Sequence, residues 1–108
     1  MPSHPAEPVL SYQTLKVLRI FADNPNDSFA GSDIAKVTKI LSGVMYPMLM
    51  RLERARWLHS KWEGVDASSL GRPRKRLYRI TPTGLRKTRA AFAELGLGAV
   101  VDQGGVAV

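Results

Sequence analysis

Between residues 12 and 23 the polar positions Tyr12, Lys16, Arg19 and Asp23 recur at i, i+4, i+7 and i+11, one face of a helix. Leu15, Val17, Leu18, Ile20 and Phe21 fill the remainder. The spacing predicts a helix over 12–23, with Ser11 as its cap. Its apolar stripe is wide for a surface helix. One side can enter the core while the other meets a second subunit, or the whole stripe can be core. Asn24-Pro25-Asn26-Asp27 is a turn cluster, and Phe29-Ala30 offers a short β-contact. Ser32 is expected to cap a second helix, with Asp33 in the first turn, where a negative charge suits the helix dipole. Ile34, Ala35 and Val37 are its apolar residues. After a connection over 39–41, Ser42 is expected to cap a third helix over 42–56. Met45, Leu49 and Leu52, at i, i+4 and i+7, face the core. Pro47 falls near the end of the first turn, where a missing N–H costs less than in mid-helix.

The period then changes from that of a helix to that of a strand. Leu58-His59-Ser60-Lys61-Trp62 and Arg76-Leu77-Tyr78-Arg79-Ile80 read as two strands around a loop rich in Gly, Ser and Asp. The expected register sets Leu58 against Ile80, Ser60 against Tyr78 and Trp62 against Arg76. Leu58, Tyr78 and Ile80 then line the inner face, and His59 and Lys61 the outer. Trp57 and Trp62 read as packing residues. Thr81 caps a last helix, Pro82 suits its first position because the absent N–H had no partner there, and the helix spans 82–95. Leu85, Thr88, Phe92 and Leu95 form its stripe, with Arg86, Lys87 and Arg89 outside. The domain is thus expected over 11–95, between an extended arm at 1–10 and a Gly-rich tail at 96–108. The fold class is mainly α with a small β-hairpin: a winged helix-turn-helix.

Charge sharpens this picture. The 108 residues carry a net +7. Residues 1–50 balance to zero, whereas 51–93 hold twelve basic and three acidic residues. From Ala67 to Ala93 there are eight Lys and Arg and no acid. Such a one-sided field attracts polyanions, nucleic acid or an anionic membrane surface; the bland reading is a basic face kept for solubility. No run reaches the about 18 apolar residues of a membrane span, and the first residues lack the pattern of a signal peptide, so a cytoplasmic protein is expected. The absence of cysteine excludes disulfides and thiolate metal sites. His4 and His59, with Glu63 and Asp66 three apart in a loop, make no nucleophile–base–orienter set. No catalytic residue, metal or cofactor is expected.

A short helix, a turn and a longer helix with a small or basic outer face fit the major groove, whose width admits a helix. Ser42, Gly43, Pro47, Met50, Arg51 and Arg54 lie on that outer face. In the hairpin tip, Gly71 lets the backbone approach a surface and Pro73 keeps the segment extended. Arg72 and Arg74 project along it, as side chains that follow a narrow minor groove do. Gly71-Arg72-Pro73 also resembles an AT-hook core, with Leu70 where the preceding Arg would stand. Lys75, Arg76 and Arg79 are candidate phosphate contacts. On the outer strand face Lys61 is a further candidate, and His59 is either a phosphate contact or plain surface. A winged helix can instead serve as a protein-interaction module with no specific DNA target.

Several segments together resemble the PadR family of transcriptional regulators. They are Val44 to Glu53, containing Tyr46-Pro47-Met48-Leu49-Met50-Arg51-Leu52-Glu53, then Trp57-Leu58, Lys61-Trp62-Glu63, Gly71 to Arg76, Tyr78-Arg79-Ile80-Thr81 and Gly84. The resemblance spans about Leu15 to Ala93. It implies a bacterial-type dimeric repressor that binds pseudo-palindromic double-stranded DNA operators. It places Ser42, Tyr46, Pro47 and Arg51 in the major groove and Arg72, Arg74 and Lys75 on the flanking minor groove, with 63–76 as the wing. It assigns homodimerisation to the first and last helices, here through Leu15, Val17, Ile20, Leu85, Phe92 and Leu95. Glu53 fits as a structural partner of a basic group. The sequence lacks the long C-terminal helices that larger members use for dimerisation and sometimes for effector binding, so dimerisation is expected to rest on the helices at 12–23 and 82–95.

Overall fold

The computed structural model describes residues 7–64 and 66–96. The hairpin forms in the expected register. Strands β2 (Leu58–Trp62) and β3 (Arg76–Ile80) are antiparallel, with Leu58 opposite Ile80, Ser60 opposite Tyr78 and Trp62 opposite Arg76. Strand β1 (Phe29–Ala30) pairs antiparallel with the other edge of β3, giving the order β1-β3-β2. Around this sheet stand α1 (Tyr12–Asp23), α2 (Gly31–Thr38), α3 (Ser42–Arg54) and α5 (Pro82–Glu94), and a single turn, α4 (Ala67–Leu70), lies in the wing.

One core joins all the layers. Val17, Leu18 and Phe21 of α1 meet Ile34 of α2, Met45, Met48, Leu49 and Leu52 of α3, and Leu58, Tyr78 and Ile80 of the sheet. Each fully buried side chain of this size contributes about 1.5–3 kcal/mol, so α3 is anchored along its whole inner face. Met48 belongs to that face, one position before Leu49, although the i, i+4, i+7 pattern passes over it.

Two expected caps are shifted. Ala30, the last residue of β1, is extended and acts as the N-cap of α2, so the strand runs straight into the helix and Ser32 already lies inside it. Leu41 does the same for α3: its carbonyl accepts from the N–H groups of Val44 and Met45 at 2.9 and 2.8 Å, and Ser42 is the first helical residue. Neither helix has a side-chain cap. Pro47 is therefore the sixth residue of α3 and lies in its second turn, leaving the carbonyl of exposed Gly43 without its usual i+4 donor. At the other end, Arg56 takes a left-handed φ of 68°. The N–H of Arg56 bonds the Glu53 carbonyl and that of Trp57 the Leu52 carbonyl, both at 2.9 Å. That double bond pattern with a left-handed residue is a Schellman stop, and it ends the helix at Arg54 rather than Arg56.

The caps of α1 and α5 are as expected. Ser11 accepts from the Thr14 N–H, and Thr81 from the Gly84 N–H at 2.9 Å. Four packing assignments change. Val17 and Phe92, expected at a subunit interface, are 0% and 4% exposed: Val17 lies in the core cluster, and the Arg19 guanidinium stands 5.4 Å from the Phe92 ring centroid. Trp62 lies on the inner side of β2, but by that point the hairpin has run past the core; the residue is 54% exposed, with the Arg76 guanidinium 5.2 Å from its ring centroid. Leu95, expected on the α5 stripe, is exposed just beyond the helix end. Most of the expected arm and nearly all of the tail fall outside the described residues.

Candidate nucleic-acid interface

Helix α3 has two faces because Met45, Met48, Leu49 and Leu52 hold one of them against the core. Ser42, Gly43, Tyr46, Pro47, Met50, Arg51 and Arg54 are left on the outside, all exposed. The side chains are small at the start of that face and basic toward its end. Tyr46 is half in: its ring packs over Gly31, so that a Cβ added there would stand 2.7 Å from the ring. The contact ties the start of α2 to the outer side of α3.

The wing is organised by acids on and around the hairpin. Glu63, just past β2, takes the Arg72 guanidinium in a two-pronged bond at 2.8 and 3.1 Å. The same carboxylate accepts the Lys75 N–H at 2.8 Å. The Arg72 hydrogen bonds and the Lys75 N–H hold the Glu63 carboxyl down at about 2. Lys75 also points its ammonium at Asp33 of α2, 3.7 Å away. A second set lies beneath the hairpin. Ser60 donates to Glu53 of α3 at 2.6 Å and accepts from Arg76 Nε at 2.9 Å, and Arg76 stands 3.9 Å from the Glu53 carboxylate. Glu53 thus is the structural partner of a basic group, joining the last turn of α3 to both strands.

Among the cationic residues singled out in the wing, Arg72 and Arg76 are engaged within the chain, and Lys75 partly so. Arg74 has no hydrogen-bond or ion-pair partner among the described residues and is exposed. Lys61 and His59 stand exposed on the outer strand face, as the alternation requires. Arg79 on that face reaches the Pro25 carbonyl and Asn26 Oδ1 at 3.4 Å each. The two-residue pair Glu63–Arg72 has a faint sequence signal: one acid at a strand end before an otherwise acid-poor basic loop. The α4 turn has none, since Ala67-Ser68-Ser69-Leu70 reads as loop.

A two-helix unit with one helix face left open, followed by a β-hairpin wing and closed by a helix that returns to α1, defines a winged helix-turn-helix protein. The chain belongs to the transcriptional regulator PadR-like family, whose model matches residues 32–90. It is a transcriptional regulator of that family. Among solved structures it resembles a PadR family transcriptional regulator from Eggerthella lenta DSM 2243, with TM-score 0.60 and 24% identity over 82% of this chain and 75% of that one. It also resembles smu.1704 from Streptococcus mutans UA159, with TM-score 0.63 and 23% identity over 95% and 92%. A MepR variant from Staphylococcus aureus bound to an oligodeoxyribonucleotide matches with TM-score 0.61 and 18% identity, over 86% of this chain and 64% of that one. At 18–24% identity these likenesses speak for the fold. Comparison with curated proteins gives no significant match. Among the described residues no helix is long and apolar enough to cross a membrane.

Proposed function

We propose that this regulator binds double-stranded DNA as a homodimer and represses transcription from a pseudo-palindromic operator. Helix α3 enters the major groove through Ser42, Gly43, Tyr46, Pro47, Met50, Arg51 and Arg54. The wing, 63–76, follows the flanking minor groove, and Lys61 contacts the backbone beside it. The observation that carries the reading is the division of α3: four apolar side chains are spent on the core, and a small-then-basic face is left open next to a cationic hairpin. A small start lets the helix sink into a groove, and Arg at its later turns can reach base edges or phosphates. The oligonucleotide held by the MepR variant of the same fold supports the same partner class.

For the dimer, Leu15, Ile20 and Leu85 are half-buried and Leu95 is exposed, so they have surface left to give to a second copy. A groove of about 300 Å³ lies between α1, α2 and Phe92, rimmed by Tyr12 and Val37, which are 76% and 73% exposed. An isologous interface here would present two α3 helices to the two half-sites of one operator.

Arg51→Ala tests the helix assignment. It is expected to relax sequence preference at the contacted base pair, at a cost of about 1–3 kcal/mol in specific binding, with weak binding to random duplex largely kept. Unchanged affinity for every duplex would remove Arg51, and with it this placement of α3.

A further inference from the structure

We propose that the two arginines of the wing tip have different duties: Arg74 is the side chain offered to DNA, while Arg72 is a positioning residue, clasped by Glu63 to fix the loop that carries Arg74. The inference rests on the DNA-binding reading above and divides the labour within that site.

The geometry begins with the loop. It leaves β2 at Glu63 and returns at Lys75, and one residue closes it at both levels. The Glu63 N–H donates to the Lys75 carbonyl at 2.9 Å, and the Glu63 carboxylate accepts the Lys75 N–H at 2.8 Å. The carboxylate also takes Arg72 with both prongs. Arg72 turns its own guanidinium back onto the Pro73 carbonyl at 3.0 Å. Residues on either side of Arg74 are therefore held: Arg72 by the clasp, Pro73 by its ring-fixed φ, and Lys75 by its N–H on the Glu63 carboxylate and its carbonyl on the Glu63 N–H. Lys75 further reaches Asp33, so the held loop is tied to α2. Arg74 alone in this run projects a guanidinium with no partner among the described residues.

Electrostatics points the same way. The Glu63–Arg72 pair is neutral at a distance, so it adds little to the field that a phosphate backbone feels. A phosphate drawing Arg72 away would have to replace a two-pronged carboxylate and would leave the Lys75 N–H bonded to a bare anion facing DNA. Arg74 gives its charge without breaking anything. The pair lies at the surface, with the Arg72 side chain 40% and that of Glu63 18% exposed, and a surface ion pair adds little to global stability, so variants of it are expected to fold and to differ only in the loop.

The sign of one substitution separates this from the opposite reading, in which Glu63 is a decoy that keeps Arg72 from DNA. Glu63→Gln removes a negative charge beside the proposed interface, and charge alone would tighten binding. The experiment measures duplex binding by fluorescence anisotropy at several salt concentrations for wild type, Glu63→Gln, Arg72→Ala, Arg74→Ala and the Glu63→Gln/Arg72→Ala double variant. Hydrogen exchange of the Lys75 amide is followed by NMR in the free proteins.

The expected result is that Glu63→Gln and Arg72→Ala each weaken binding several-fold with the salt slope kept. The double variant should be no worse than the weaker single, as for two residues acting as a unit. Arg74→Ala should weaken binding and lower the salt slope by about 0.9, one released counterion. The Lys75 amide should exchange faster in the first two variants and not in Arg74→Ala. Tighter binding by Glu63→Gln, or a slope lowered by Arg72→Ala as much as by Arg74→Ala, would overturn the division while leaving the DNA reading intact. A wild-type protein that binds no duplex would overturn the functional reading and the duty of Arg74 together, and the exchange pattern would then decide the clasp separately.

Discussion

Glu63 illustrates how one side chain can set the behaviour of a loop. Its carboxyl, ordinarily near 4.5, is held at about 2 by Arg72 and the Lys75 N–H. A carboxyl depressed on folding contributes above its unfolded value and loses that contribution as pH falls through the folded one. The contribution of the clasp to folding is therefore expected to be complete above about pH 4.5 and to decline as pH falls toward 2, while the clasp itself stays closed in the folded protein until pH nears about 2. The amide shift of Lys75, followed by NMR, should move with a midpoint near pH 2. A midpoint near 4.5 in the folded protein would mean that the clasp does not form. This residue also marks where sequence reasoning stops. The tip arginines were visible as charges, but their pairing was not, because Glu63 and Arg72 lie nine positions apart and meet only once the loop has folded. The same holds for Arg76, which reads as a phosphate contact in sequence and is bound to Ser60 and Glu53 in the fold.

Among elements, the hairpin and the last helix were the most legible. A period of two with Leu58, Tyr78 and Ile80 on one side fixes the register, because a slip by one residue would turn all three to solvent. Helix starts were less so. Ser32 and Ser42 have the chemistry of caps, yet Ala30 and Leu41 take that position because a strand and a turn deliver the chain one residue or more earlier. Val17 and Phe92 teach a related point: periodicity shows that a stripe must be covered, not whether the same chain covers it. Gly84 is an element-scale constraint of another kind. It sits in the first turn of α5, against the backbone of Trp57 just before β2, and a Cβ on it would stand 2.2 Å from the Trp57 carbonyl oxygen. Backbone cannot swing aside as a side chain can. Gly84→Ala is expected to cost about 1–3 kcal/mol as overpacking does, read as a lower urea midpoint. An unchanged midpoint would show that α5 does not press on Trp57 in solution. The neighbouring cap is gentler: Thr81→Ala removes the acceptor for the Gly84 N–H and the donor to the Arg56 carbonyl, at an expected cost of about 1 kcal/mol in the same assay.

At the scale of the whole molecule, the chain separates its charge. The first fifty residues are balanced, and the surplus is gathered on the later half of α3, the wing and α5. Folding brings the open face of α3 next to the wing through Glu53, Ser60 and Arg76, so helix and hairpin are presented as one body. This combined surface is the one proposed to bind duplex DNA. The most direct test is fluorescence anisotropy of the purified protein with the duplex upstream of its own gene and with a scrambled duplex, across a range of salt. The expected result is tighter binding to the upstream duplex, persisting near physiological salt, over a weaker and steeply salt-dependent binding to both. No binding to either duplex at low salt would contradict the claim and leave the basic face to an acidic protein partner.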